Sequence, residues 1–269
     1  MLNNPRADRV KAVRALAKRS VRTRTGRFVV EGPQGVREAI RCAPDRVIDV
    51  YATRASFEKF AADFLEPARA AGLYVHECSD EVLAAMADAD TPQGVLAVVR
   101  DEPVPVEAVL AGEPRLLVFL THVRDPGNLG TVIRAADAAG AAAVLVSAES
   151  VDAFSPKVVR STAGSLFHLP VVTGLPVEAT LAALREHGIP TLAADGAGSD
   201  LLPDVDLSGP HCWVMGNEAW GMPEELRAQC ARVVRVPIYG RAESLNLAMA
   251  ATICLYASAG AHHPLRGDR

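Results

Sequence analysis

The chain of 269 residues is long enough for one large α/β domain or two smaller ones with cores of their own, which excludes a disulfide-stapled miniprotein. Its composition, 49% hydrophobic and 22% charged with 20 Gly and 18 Pro scattered along it, fits neither a disordered chain nor a fibrous repeat. The net charge of −4 hides an asymmetry: residues 1–27 carry nine Arg or Lys against Asp8 alone, a net +8 that leaves −12 on the remainder, so a polyanionic partner is expected, with a solvated basic helix as the plainer alternative.

No apolar run approaches the roughly 20 residues that span a bilayer, and the start lacks an apolar signal core, so a cytoplasmic protein without membrane attachment is expected. The five cysteines lie far apart with no CxxC pair and no His at zinc spacing, so neither a disulfide framework nor a metal site is predicted.

In chain order, Val10 to Arg19 has helical spacing, Arg27 to Glu31 reads as a strand, and Gly32 to Ile40 as the turn and helix after it. Strands follow at Val47 to Tyr51, Leu73 to His76 and Gly94 to Val99, with an alanine-rich helix around Phe57 to Ala71. This gives a small N-terminal α/β domain over residues 1–100. The charged, proline-rich passage 101–114 suits a linker, and residues 115–269 form a second domain. There the strand runs Leu116 to Leu120, Ala142 to Val146, Leu169 to Val172, Thr191 to Ala194, Cys212 to Met215 and Val233 to Val236 alternate with helical stretches. Such alternation predicts a parallel sheet covered by helices, with its ligand crevice beyond the carboxyl ends of the strands.

Three loops in those positions stand out. The first, Thr121 to Gly130, runs into a helix that Asn128 is expected to cap. Arg134 lies off the buried stripe of that helix; close to a helix start it calls for an anionic neighbour, and a salt bridge to Asp137 is the local alternative. The second, Gly216-Asn-Glu218-Ala-Trp-Gly221, describes a tight turn exposing backbone amides and one carboxylate. The chain lacks GxGxxG and GxxxxGK[ST], which removes support for a dinucleotide fold or a P-loop nucleotidase. The third ends in Ser244-Leu-Asn246, with Ser244 read as the cap of an all-round apolar helix that should be buried at an interface. Asn246, in the first turn of that helix, needs hydrogen-bond partners or an internal capping network.

Taken in order, Asn128-Leu-Gly-Thr-Val-Ile-Arg134, Gly216-Asn-Glu218-Ala-Trp-Gly221 and Ser244-Leu-Asn246 resemble the three motifs of the SpoU-type (TrmH-like) RNA ribose 2′-O-methyltransferases of the SPOUT superfamily. Ser155 to Pro170 also resembles that family, and Gly26 to Ala39 resembles its N-terminal substrate-binding domain of ribosomal-protein type. The resemblance implies a deep trefoil knot in the C-terminal domain, a homodimer, and S-adenosyl-L-methionine as cofactor. By motif match it implies a cofactor pocket lined by Gly216, Val236, Ile238 and Leu245, with Leu192, Ala193 and Ala194 beside them. It assigns Arg134 to activation of the ribose 2′-hydroxyl, Asn128 to orienting that arginine or the substrate, Glu218 to holding the loop or a partner arginine, and Ser244 and Asn246 to ordering the site. Neutralising a guanidinium at pH 7 costs about 7 kcal/mol, so the arginine acts either as a base only in the dry assembled site or, more cheaply, as a cation facing the developing alkoxide.

RNA contact is expected from Arg22, Arg24 and Arg27, in a nearly aromatic-free segment suited to phosphates, and from Arg160, for which a local salt bridge is the alternative. Ala219 stands where many relatives have Gly; Trp213 is read as core and Trp220 as packing over the cofactor loop. His262 and His263 are read as a solvated tail. Ribosomal RNA, 23S in particular, is the expected substrate; transfer RNA, or a non-catalytic RNA-binding protein of the same fold, are the alternatives.

Overall fold

The computed structural model describes residues 1–263, which divide into two units. The first joins Met1–Glu102 to Asp152–His168, and the second joins Pro103–Val151 to the residues from Leu169 on.

In the first unit, β1 (Arg27–Glu31), β2 (Val47–Thr53), β3 (Val75–Cys78) and β4 (Val95–Arg100) form a sheet in the order β1-β4-β2-β3. β4 runs antiparallel to both its neighbours and β3 parallel to β2. Val10, Val13 and Leu16 pack on Val29, Tyr51, Leu96 and Val98, which makes the apolar stripe of the first helix part of the core. The expected helix Val10 to Arg19 divides into Asp8–Ala15 and Arg19–Thr25. Arg22 reaches back across the corner between them and donates from Nη1 to the carbonyls of Leu16 (2.7 Å) and Ala17 (2.8 Å). The expected helix Phe57 to Ala71 is interrupted between Lys59 and Glu66. Pro67 has no N–H to continue an i to i−4 ladder through that stretch.

Sequence reading puts the stretch after Val151 in the C-terminal domain, whereas the structure groups Asp152–His168 with the first unit. The Phe28 ring lies 5.0 Å from that of Phe154 and 6.4 Å from that of Phe167, and Asp152 accepts from Arg22 Nε at 3.1 Å. The passage read as a linker contains a helix, Val106–Leu110, whose Leu110 is buried in the second unit's core.

The second unit holds seven strands: β5 (Leu116–Leu120), β6 (Ala143–Ser147), β7 (Val171–Leu175), β8 (Thr191–Ala194), β9 (Asp200–Leu201), β10 (His211–Met215) and β11 (Arg232–Arg235). Their order is β7-β6-β5-β10-β8-β11-β9 and every pairing is parallel. Only the two-residue β9 escapes sequence reading, being too short to show periodicity. Alternate residues serve opposite faces: Leu117, Phe119, Cys212 and Val214 share a cluster with Leu181 and Leu184 of helix Val177–Glu186. On the other face Trp213 Nε1 donates to Ser258 Oγ at 2.8 Å, which ties the sheet to helix Leu247–His262.

His211 belongs to the same buried network. Its Nδ1–H donates to the Gly209 carbonyl at 2.9 Å, which leaves Nε2 as the acceptor facing the Ser258 hydroxyl at 2.7 Å. Burial lowers the pKa of the ring, and neighbouring His262 lowers it further against the opposing bond to Gly209. The unfolded chain therefore takes up a proton below about pH 6.5 that the folded chain resists. The stabilisation is complete above that pH and declines on acidification, by at most about 1.4 kcal/mol per pH unit. Urea midpoints at pH 7.5 and 5.5 should show this fall in the native protein and a shallower one in His211→Gln; equal slopes would refute the assignment.

Candidate functional site

Because β5, β10, β8 and β11 are parallel neighbours, the loops after Leu120, Met215, Ala194 and Arg235 emerge on one edge of the sheet. The turn after β10 is held closed by its own backbone: Asn217 N donates to the Gly221 carbonyl at 2.8 Å and Gly221 N to the Asn217 carbonyl at 3.0 Å. A Cβ on Gly216 would lie 2.4 Å from the Gly221 carbonyl oxygen, so no other residue fits there. Asn217 is buried; its Oδ1 accepts from Ala219 N (2.7 Å), and its Nδ2 donates to the His122 carbonyl (2.7 Å) in the loop after β5.

Glu218 completes the connection between those loops. Its Oε2 accepts from Arg124 N at 3.1 Å, and its Oε1 accepts from Asp125 N at 3.0 Å and Asn128 Nδ2 at 3.2 Å. Burial pushes this carboxyl up, but the donated amide protons outweigh it and hold the group below its ordinary value. Asn128 Oδ1 in turn accepts from Asn246 Nδ2 at 3.0 Å, while Asn246 Oδ1 accepts from Ala248 N (2.9 Å) and Met249 N (3.3 Å). One continuous chain of hydrogen bonds thus joins the three motifs, and each amide is oriented by the next.

The two helix caps differ from sequence expectation. Asp125, not Asn128, caps helix Pro126–Ala138: its Oδ1 accepts from Asn128 N at 2.7 Å, and Pro126 occupies the first turn, where its missing N–H costs nothing. Asn246, not Ser244, caps helix Leu247–His262, because the chain turns helical only after it. Within the single chain Met249, Ile253 and Tyr256 of that helix are exposed.

Beside the turn lies a cavity of about 550 Å³, large enough for a cofactor-sized molecule. Gly216, Val236, Ile238, Leu245 and Ala194, which the resemblance implies for the cofactor pocket, line it, and so do Glu218 and Ser244, for which it implies other roles. Leu192 and Ala193 do not: they are buried within β8, and only the strand's last residue reaches the opening. Asp195, which sequence reading missed, lines it too. Its Oδ1 accepts from Arg227 Nη1 and Ala197 N, both at 2.9 Å, and its Oδ2 from Met222 N at 3.3 Å. Its position directly after a parallel strand was the available signal, as the membership of Asn217 in the second motif was for that residue.

Residues 115–256 match the family model described as the SpoU rRNA Methylase family, and residues 7–97 match the MRM3-like substrate binding domain. The chain belongs to the SpoU rRNA methylase family. It is 33% identical over 235 residues to the 23S rRNA (guanosine-2′-O-)-methyltransferase RlmB of Bordetella pertussis, covering 86% of this chain and 96% of that protein. It is also 33% identical over 256 residues to the 23S rRNA (guanosine(2553)-2′-O)-methyltransferase RlmP of Bacillus subtilis, covering 95% of this chain and 97% of that one. Among solved structures it is similar to the AdoMet-bound rRNA methyltransferase from Sinorhizobium meliloti, with a TM-score of 0.83, 33% identity and 97% of each chain covered.

The arginines singled out in this SpoU chain fall into two groups. Arg134, Arg24 and Arg27 are exposed, and Arg134 makes no ion pair among the described residues. Arg134 and Asn128 stand outside the cavity lining. Arg22 and Arg160 are engaged internally. Arg22 is 7% exposed and bound to Asp152 and two backbone carbonyls, which removes it from phosphate contact. Arg160 pairs with Glu31 at 3.3 Å and Asp88 at 3.0 Å, so it is ion-paired rather than a free cation, with partners remote in the chain. Trp213 is fully buried, whereas Trp220 is 58% exposed and absent from the cavity lining. His262 is not simply solvated: its Nε2 donates to the Gly209 carbonyl at 3.2 Å.

Proposed function

We propose that this chain transfers a methyl group from S-adenosyl-L-methionine to a ribose 2′-hydroxyl of 23S ribosomal RNA. The observation that carries the reading is the hydrogen-bonded chain Glu218–Asn128–Asn246, which gathers three distant motifs at the rim of one cavity. The residues present suit the cofactor: Asp195, Glu218 and Glu243 against Arg235 give the lining an excess of negative charge for a sulfonium cation. Val236, Ile238, Leu245 and Ala250 supply apolar surface for an adenine ring. The bound cofactor supplies a methyl on a good sulfur leaving group. In this reading the protein's part is to place the hydroxyl in line, with Arg134 as a cation stabilising the alkoxide as it forms while the 2′-hydroxyl proton passes to solvent water, and Ser244 and Asn246 ordering the loop beside it.

Incubation with tritiated S-adenosylmethionine and protein-free 23S rRNA, followed by mapping of the labelled nucleotide, tests the proposal. Label in transfer RNA alone would change the target, and cofactor binding without transfer to either RNA would leave a binding protein.

Phosphate contact falls to Arg24 and Arg27. Replacing both by Gln should flatten the dependence of log K on log salt by about 1.4 to 1.8. Arg22→Gln should instead cost about 3 kcal/mol of folding stability by leaving Asp152 without its buried partner, as a urea titration would read. An unchanged salt slope in the double variant would exclude these two arginines from the RNA site.

The reading includes a homodimer, a trefoil knot in the second unit, and action in the cytoplasm, where ribosomal RNA is found. Met249, Ile253 and Tyr256 form an exposed apolar stripe at i, i+4 and i+7 on the last helix, suited to a second copy. Ile253→Asp should yield monomers in sedimentation, and an unaltered dimer would place the interface elsewhere. No helix among the described residues is long and apolar enough to cross a membrane.

A further inference from the structure

A second cavity, of about 300 Å³, lies within the first unit between the end of β1, the 88–94 loop and the end of helix Pro156–Ser161. Its floor has no side chain at Gly32, a buried residue with φ of +90°, where a Cβ would approach Gln93 Oε1 to 2.8 Å. Glu31 fixes the loop over it, accepting from Asp88 N at 2.9 Å through Oε1 and from Ala89 N at 3.1 Å through Oε2. Arg160 also lines this cavity, but Glu31 and Asp88 hold its guanidinium, so the wall carries no net positive charge to attract a phosphate. Gln34, Thr91 and Gln93, all three exposed, line the same opening, and their side chains make no hydrogen bond among the described residues. Val159 and Ala163 add an apolar surface.

From this geometry we infer that the cavity receives one unpaired nucleobase of the RNA, with Gln34 and Gln93 reading its edge. The inference rests on the proposed RNA substrate and deepens it. Amide side chains pair with base edges through a donor and an acceptor together, and RNA sequence is read on bases splayed out of the helix. A slot of this size, uncharged overall and furnished with unengaged amides, has the chemistry for a base rather than for a backbone phosphate.

The test uses the full chain and protein-free 23S rRNA, comparing the native protein with Gln93→Ala and Gln34→Ala for binding at several salt concentrations and for methyl-transfer kinetics. Each variant should weaken RNA binding and raise KM about tenfold. The salt slope, kcat and cofactor affinity should stay as in the native protein. Thr91→Val, isosteric and on the same rim, provides a third reading if either Gln variant melts early. Unchanged affinity, or a loss accompanied by a flatter salt slope, would overturn the assignment. If the native chain binds this RNA without methylating it, the proposed activity fails while the binding comparison still decides the pocket.

Discussion

Arg134→Ala should reduce methyl transfer about a thousandfold while leaving affinity for S-adenosylmethionine within twofold of the native value. The size follows from removing the one charge that the proposed reading sets against the developing alkoxide once bound RNA covers Arg134 and excludes water, where such a group is worth two to three orders of magnitude in rate. The separation of effects follows from position. Arg134 is exposed on helix Pro126–Ala138, makes no ion pair among the described residues, and is not among those that line the cofactor-sized cavity. Its loss therefore takes away neither a cavity wall nor an ion pair, and stability should change by less than about 0.5 kcal/mol. Single-turnover kinetics with saturating RNA, together with calorimetry of cofactor binding, make the comparison. Turnover within tenfold of native would remove Arg134 from the chemistry; lost cofactor affinity would move it into the cavity. Arg134→Lys is a weaker probe, because it keeps the charge but changes the geometry.

Gly216→Ala acts on the other half of the site. The added carbon would lie 2.4 Å from the Gly221 carbonyl oxygen and 2.9 Å from Met222 N, both backbone atoms that no rotamer change can move. The turn must open, breaking the paired Asn217 and Gly221 hydrogen bonds and shifting the carboxylate of Glu218 away from the amides of Arg124 and Asp125. Folding stability should fall by about 3 kcal/mol, the upper range for an overpacked site, and cofactor affinity by at least about a hundredfold. Gly196→Ala makes the contrast: it borders the same cavity, yet a Cβ there meets nothing within 4 Å, and stability should be unchanged. Native cofactor affinity in Gly216→Ala would show that the turn does not form the binding wall.

The contrast between Gly216 and Arg22 shows where sequence reading succeeds. Gly216 stands directly after an apolar strand run in a protein whose alternating pattern already predicts a parallel sheet, so its place at the ligand edge follows from local order and a general property of such sheets. Arg22, Arg24 and Arg27 share one basic segment and look alike in sequence. Yet Arg22 is buried against Asp152, 130 positions away, while the other two stay exposed. Arg160 is likewise distinguished only by Glu31 and Asp88, each remote in the chain. Charge partners are a long-range property, and no local pattern carries them.

The caps make the same division on a smaller scale. Asp125-Pro126 is a legible helix start, because Pro fits the first turn and Asp before it can accept an amide, but Asn128 caps as well by residue type, and only the backbone geometry separates the two. For Ser244 and Asn246 both residue types cap well, and which does so depends on where the preceding loop, running along the cavity, releases the chain into the helix.

Sequence by itself determined the strand runs of both units, the parallel arrangement of the second, and the three segments that carry the site, because periodicity, glycine placement and motif order are written along the chain. Tertiary structure alone decided that Asn128 bridges Glu218 and Asn246, that Asp152–His168 joins the first unit, and that two of the candidate RNA arginines are neutralised within the fold. Those outcomes depend on distances between residues far apart in the chain, which are set only when the sheets close and their faces are covered.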